Sequence, residues 1–179
     1  MKRLCILTLV VTATLGLALA FPAGGALAQQ KQRVSYKIDA ANAKFPQQHV
    51  IEIGDVPGHK LRLYELLRVF PNNAPVINGV KLKETWSRGV SDYIDESGPN
   101  YGYVVYVLEN GDRFFGRFNT LSEHIGPGKL KYSSVTAITG GTGKFAGATG
   151  DIKNIGEVDL SRQATVFRYS GQVCFAEQD

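Results

Sequence analysis

Between Thr139 and Gly150 the chain reads TGGTGKFAGATG, five glycines in twelve residues, with alternating apolar and polar runs on either side. Glycine at this density means backbone at positive φ or in close approach, which specifies a tight corner. A phosphate-binding loop would need a glycine five residues before Gly143 and a Ser or Thr after Lys144, where this chain has Ile138 and Phe145. A dinucleotide fingerprint built from Gly141, Gly143 and Ala146 should open a helix, whereas Gly147, Gly150 and another short strand follow. What remains is a strand-to-strand corner in an antiparallel sheet.

The segments around that corner behave accordingly. Lys60 to Phe70 alternates, with Leu61, Leu63, Leu67 and Val69 on one face and Arg62, Tyr64, Leu66, Arg68 and Phe70 on the other. Taking the leucine face as the inward one places Glu65 in an apolar setting. A carboxylate there is paired, protonated with a raised pKa, or poised beside a ligand cavity. The structural alternative is a buried carboxylate held by Tyr or Arg neighbours. Val80 to Trp86 alternates again, with Val80, Leu82, Glu84 and Trp86 on one side. Tyr101 to Thr120 reads as a hairpin about Asn110-Gly111, the pair that two-residue type I′ turns prefer. That turn would put Tyr103, Val105, Val107, Phe114, Gly116 and Phe118 on one face and Val104, Tyr106, Leu108, Arg113, Phe115 and Arg117 on the other. Both faces would then carry large apolar groups, so another subunit or a terminal segment is expected to cover the second, burying Tyr106, Leu108 and Phe115.

No helical periodicity spans residues 29 to 179, and short alternating strands recur with turns between them. The economical solution is a single closed antiparallel β-barrel of about eight strands, because closure removes the edges. The run Ala137 to Gly150, AITGGTGKFAGATG, resembles the glycine hairpin of the allene oxide cyclase and dirigent barrels, and a looser resemblance runs from about Lys60 to Val173. The resemblance implies a cofactor-free barrel that assembles as a trimer and folds a fatty-acid epoxide in an apolar cavity, or, on the dirigent side, guides phenoxy radical coupling. Allene oxide cyclases carry Tyr-Glu-x-Asn on the first core strand, then Ser-Pro, then Gly-x-Cys. Here Tyr64-Glu65-Leu66-Leu67 keeps the Glu and has Leu67 in place of the Asn. Asn73-Ala74-Pro75 stands roughly where Ser-Pro would, and Gly89-Val90-Ser91 about where Gly-x-Cys would. The resemblance thus implies Glu65 as a catalytic acid, with Tyr64, Leu67, Asn73 and Ser91 as ligand contacts.

Composition sets the remaining bounds. Lys2 and Arg3, an apolar run from Leu4 to Phe21 and Ala26-Leu27-Ala28 make residues 1–28 a secretory signal peptide, so the expected location is secreted or periplasmic. The 151 residues that follow (179 minus 28) suffice for one domain, divided into a polar segment 29–48, read as a mobile arm or an edge strand, and a barrel from 49 to 179. Their charge is +2, from 18 basic and 16 acidic residues once Lys2 and Arg3 are removed, and no basic run of nucleic-acid type is present. No membrane span is expected after the leader. One cysteine, Cys174, remains, so no internal disulfide is expected. His49, His59 and His124 are far apart, and neither a metal nor a cofactor is expected. The cluster Asp92, Asp95 and Glu96 reads as a solvated loop, and Ser87 as an ordinary hydroxyl.

The functional expectation is an exported barrel that binds a hydrophobic small molecule, lipid or phenolic, with isomerase or cyclase chemistry as its extension and a homo-oligomer, trimer favoured, as its assembly. The alternative is a non-catalytic binding or interaction module in which Glu65 is structural. Intact mass of material taken from the export compartment checks the first step: the mature chain is expected to begin at Gln29, and a mass retaining residues 1–28 would overturn the localisation.

Overall fold

The alternating segments are realised as strands. The computed structural model describes residues 32–159 and 164–174, with side chains described at 38, 39 and 41–159; the expected leader lies outside the described residues. The strands are β1 (Gln32–Asp39), β2 (Ala43–Glu52), β3 (His59–Val69), β4 (Val76–Ile77), β5 (Val80–Ile94), β6 (Gly98–Leu108), β7 (Arg113–Gly126), β8 (Lys129–Gly141), β9 (Thr149–Asp159) and β10 (Ala164–Cys174). Among the described residues the only helical segments are two three-residue 3₁₀ turns, Ala40–Asn42 and Gly143–Phe145.

The sheet is antiparallel throughout, in the order β1-β10-β9-β8-β7-β6-β5-β3-β2, with β4 added on β5. No ladder joins β1 to β2 among the described residues, so the hydrogen-bonded sheet is open at these two edges. The edges are nevertheless consecutive in the chain, separated only by Ala40–Asn42. Residues 32–52 therefore supply both edges. β2 runs through position 49, where the sequence had suggested a boundary.

Which residues face inward is set by register. The β6–β7 connection is not the expected two-residue turn. Tyr106 pairs with Phe114 and Val107 with Arg113, leaving Glu109 to Asp112 as a four-residue loop. Leu108 N–H donates to the Asp112 carbonyl (2.9 Å), Gly111 N–H to that of Leu108 (3.0 Å), and Asp112 N–H to Asn110 Oδ1 (3.1 Å), with Gly111 at φ +86°. One residue of slip turns a whole strand over. Hence Val104, Tyr106 and Leu108, at 6, 4 and 0% exposure, point inward beside Phe114 and Phe118, while Tyr101 and Tyr103 face out. The expected burial of Tyr106 and Leu108 by another subunit is corrected on this ground: the chain's own core covers them.

The core gathers at one end. Phe114 stacks on Tyr106 (centroids 4.3 Å apart, planes at 6°) and on Phe145 (5.4 Å), and Phe70, Leu82, Leu108 and Ile138 belong to the same cluster. The glycine corner between β8 and β9 delivers Phe145. Its backbone is docked on the β6–β7 loop: Thr142 N–H donates to the Arg113 carbonyl (2.7 Å), Arg113 N–H to Thr142 Oγ1 (3.0 Å), and Lys144 N–H to Asp112 Oδ2 (3.2 Å). Folded over in this way, the corner leaves no room for a Cβ at Gly141, which would meet the Phe145 carbonyl. The corner is thus a plug whose apolar tip is fully buried. Phe145→Ala is expected to cost about 3–5 kcal/mol of stability, as large-to-small core changes of this kind do. Urea denaturation checks it, and a loss within the usual ±0.5 kcal/mol of surface substitutions would show that the plug carries no core.

Candidate functional site

Above this floor the inward residues line a cavity of about 470 Å³, within the usual range of small-molecule sites. The β3 residues that line it are Arg62, Tyr64, Leu66 and Arg68. This reverses the face expected from the leucines. Tyr64, Leu66 and Phe70 are 6–8% exposed, whereas Leu63 is 59% exposed. The face was misread because two arginines on it look solvated in sequence, while in the folded sheet they turn toward the cavity.

Cross-strand register arranges the cavity in rows. One row, along the hydrogen-bonding direction, runs Leu66, Ser87, Val104, Gly116 and Ile138 from β3 to β8. The next runs Tyr64, Gly89, Gly102, Phe118, Thr136 and Ile152 from β3 to β9. Here the paired glycines Gly89 and Gly102 make space for large neighbours. A Cβ at Gly89 would sit 2.9 Å from the Phe118 ring and 3.2 Å from the Tyr64 hydroxyl. The third row runs Arg62, Ser91, Asn100, Thr120, Ser134 and Asn154, one residue from each of β3 and β5 to β9, and every member is polar.

Much of this polarity is paired. Tyr64 OH donates to Asn100 Oδ1 (2.9 Å), Thr120 Oγ1 to Ser134 Oγ (2.8 Å), and the Tyr93 and Ser122 hydroxyls share a bond (2.9 Å). Arg68 Nη1 reaches Ser87 Oγ at 3.5 Å. Burial, the largest effect, pushes the Tyr64 phenol above its ordinary value of 10.0, opposed by the Asn100 amide and the charges of Arg68 and Arg62, so it stays a hydroxyl donor at neutral pH. Arg62 is held differently, its guanidinium 5.2 Å from the Phe45 ring centre and 5.0 Å from that of Tyr64. Asn154 is 8% exposed, and its Oδ1 is buried with no hydrogen-bond partner among the described residues.

The other residues assigned to the site from sequence, Glu65, Leu67, Asn73 and Ser91, lie apart from the cavity, whereas Tyr64 lines it. Glu65 is on the outer face, where Arg88 Nε lies 2.6 Å from its Oε2 and the Arg88 guanidinium sits 5.3 Å from the Trp86 ring centre. Of the alternatives open to that carboxylate, the structure realises the paired one, outside. Leu67 shares that outward side, and Asn73 is exposed in the β3–β4 loop at φ +52°. Ser91 belongs to the polar row and is 1% exposed, buried between its neighbours and not lining the cavity. Missed entirely were Arg62, Asn100 and Asn154, which carry no motif and become visible only once the register is known.

Charged groups at the strand ends bracket the site. His59 lies between two carboxylates, Nδ1 2.6 Å from Asp55 Oδ1 and Nε2 2.7 Å from Asp92 Oδ1, tying the β2–β3 turn to β5. Glu96, which lines the cavity, meets His124 Nδ1 at 2.9 Å. It sits in a two-residue turn with Asp95, both at positive φ (65° and 47°), a conformation usually given to Asn-Gly. The loop expected to be merely solvated thus supplies partners to two histidines. No group of His, Cys, Asp or Glu among the described residues is arranged to hold a metal ion, and none of their helices is long and apolar enough to cross a membrane. The chain matches no protein-family model, no curated protein and no solved structure.

The His59 clamp makes a pH prediction. The Asp92 bond, then the Asp55 bond, raises the His59 pKa above 6.5, so its stabilisation is fully present below about pH 6.5 and is lost as pH rises through the raised value. The same bond, with the Val56 N–H, lowers the Asp55 pKa below 3.8, so that contribution is present above pH 3.8 and lost as pH falls through the lowered value. Between these limits the clamp is strongest. The melting temperature of wild type relative to His59→Gln is expected to shrink on the alkaline side, and a difference that is flat with pH would show that the clamp does not titrate.

Proposed function

We propose that this chain is an exported binding protein whose sheet is rolled into a β-barrel around a small-molecule site. The rolled form is supported by the three-residue link between the two edge strands and by Ile38 of β1 lying in one buried cluster with Tyr64 and Leu66 of β3. The glycine corner keeps its resemblance to the hairpin of the allene oxide cyclase and dirigent barrels.

The observation that carries the binding reading is the cavity of about 470 Å³ lined by a polar row on one side and apolar floor residues on the other. Such a lining favours an amphiphilic molecule over a purely hydrophobic lipid, since an all-hydrocarbon ligand would leave the Arg62 guanidinium and the Asn154 amide oxygen without partners. The isomerase or cyclase extension loses the acid that motivated it, because Glu65 is ion-paired outside; the cavity's own carboxylates are Glu96 and Asp159. Binding without catalysis by Glu65 is the reading that fits.

Ser134 offers the test, because a Phe there would project into the cavity. Native mass spectrometry of purified wild type is expected to show a bound small molecule that Ser134→Phe lacks, with the far-ultraviolet circular dichroism of the variant unchanged. Retention of the same bound mass by a folded Ser134→Phe protein would place the ligand elsewhere and remove the reading.

A further inference from the structure

Two groups in the polar row are left incomplete in complementary ways. Arg62 offers a guanidinium fixed by two rings, and its cation–π contacts with Phe45 and Tyr64 leave its N–H donors without an acceptor among the described residues. Asn154, at the other end of the row, offers a buried carbonyl oxygen that no donor reaches among the described residues. An unpaired buried amide oxygen costs stability in the empty protein, and the cost is removed when a donor arrives. Both residues line the same cavity, with Leu66, Val104 and Phe118 below them.

Resting on the reading that this cavity is the ligand site, we propose that it selects a hydroxylated carboxylic acid with an apolar body. The carboxylate lies on Arg62, the Asn154 side chain turns its buried Oδ1 toward the cavity to accept from a ligand hydroxyl, and the body covers Leu66, Val104 and Phe118. A guanidinium presents parallel N–H groups that match the two oxygens of a carboxylate. The hydroxyl requirement follows from chemistry, since an amide oxygen can only accept.

Calorimetric titration of the purified full-length mature protein with ω-hydroxylauric acid, lauric acid and methyl ω-hydroxylaurate separates the two recognition elements. Wild type is expected to bind the hydroxy acid about tenfold or more tighter than either analogue, the order of effect of one hydrogen bond to a charged or buried group. Arg62→Met should abolish the preference for acid over ester and leave the preference for the hydroxyl. Asn154→Leu should do the reverse, leaving lauric acid affinity unchanged and the melting temperature of the ligand-free protein equal or higher. A merely structural Asn154 would lower that melting temperature and move all three affinities together. Equal binding of the three probes, or preferences that survive both substitutions, would overturn this selectivity while leaving a ligand cavity in place. Absence of binding by all three would overturn it too; if native mass spectrometry also shows no bound molecule, the cavity reading falls with it.

Discussion

The cavity depends on register, and register depends on the β6–β7 loop. With Glu109 to Asp112 as four loop residues, Tyr106 meets Phe114 and the even-numbered residues of both strands point inward together. A two-residue loop at Asn110-Gly111 would pair Val107 with Phe114 and put Tyr103, Val105 and Val107 inside instead. The Asn110 side chain opposes that outcome by accepting from Asp112 N–H and donating to Asp112 Oδ2, which stabilises the longer loop locally. From this one choice, and the registers of β3 and β5 that agree with it, follow the aromatic floor, the glycine pair under Tyr64 and the polar row.

The all-β character was legible in the sequence, because alternation and turn residues are local signals that tertiary packing rarely overrides. The corner at Thr139 to Gly150 was legible for the same reason. Side assignment was not. On β3 the leucines suggested one inward face, but Leu63 is exposed and Arg62 and Arg68 turn inward, since a cavity reverses the ordinary rule that the core side is the more apolar one. Glu65 was read as inward from the same premise. Arg62, Asn100 and Asn154 could not have been found from spacing at all: they are separated by many residues in the chain and meet only through five successive strand pairings.

An interior with so many hydroxyls is held together by division of labour. Hydrophobic burial is concentrated at the plugged end, where Phe70, Leu82, Leu108, Phe114 and Phe145 are all at most 8% exposed. The polar end relies on pairs that satisfy each other across strands, Thr120 with Ser134 and Tyr93 with Ser122. Such pairs contribute little net stability but avoid the larger cost of an unmade bond. The floor therefore holds most of the fully buried large side chains, and the row above it is left to chemistry.

The pairing of β1 with β10 has a consequence in time. Gln32 lies opposite Gly171 and Asp39 opposite Ala164, so the strand nearest the start of the described chain finds its neighbour only at the far end. Hairpins such as β6–β7 and β8–β9 can form as soon as their residues exist, whereas this contact must wait until the chain has been extended through residue 171. Contacts of such long sequence separation slow folding and leave an unpaired edge exposed until the last step. A chain not yet extended through β10 would carry β1 as an open strand seeking a mate, and completion of this pairing is a report that residues 164–174 have been made.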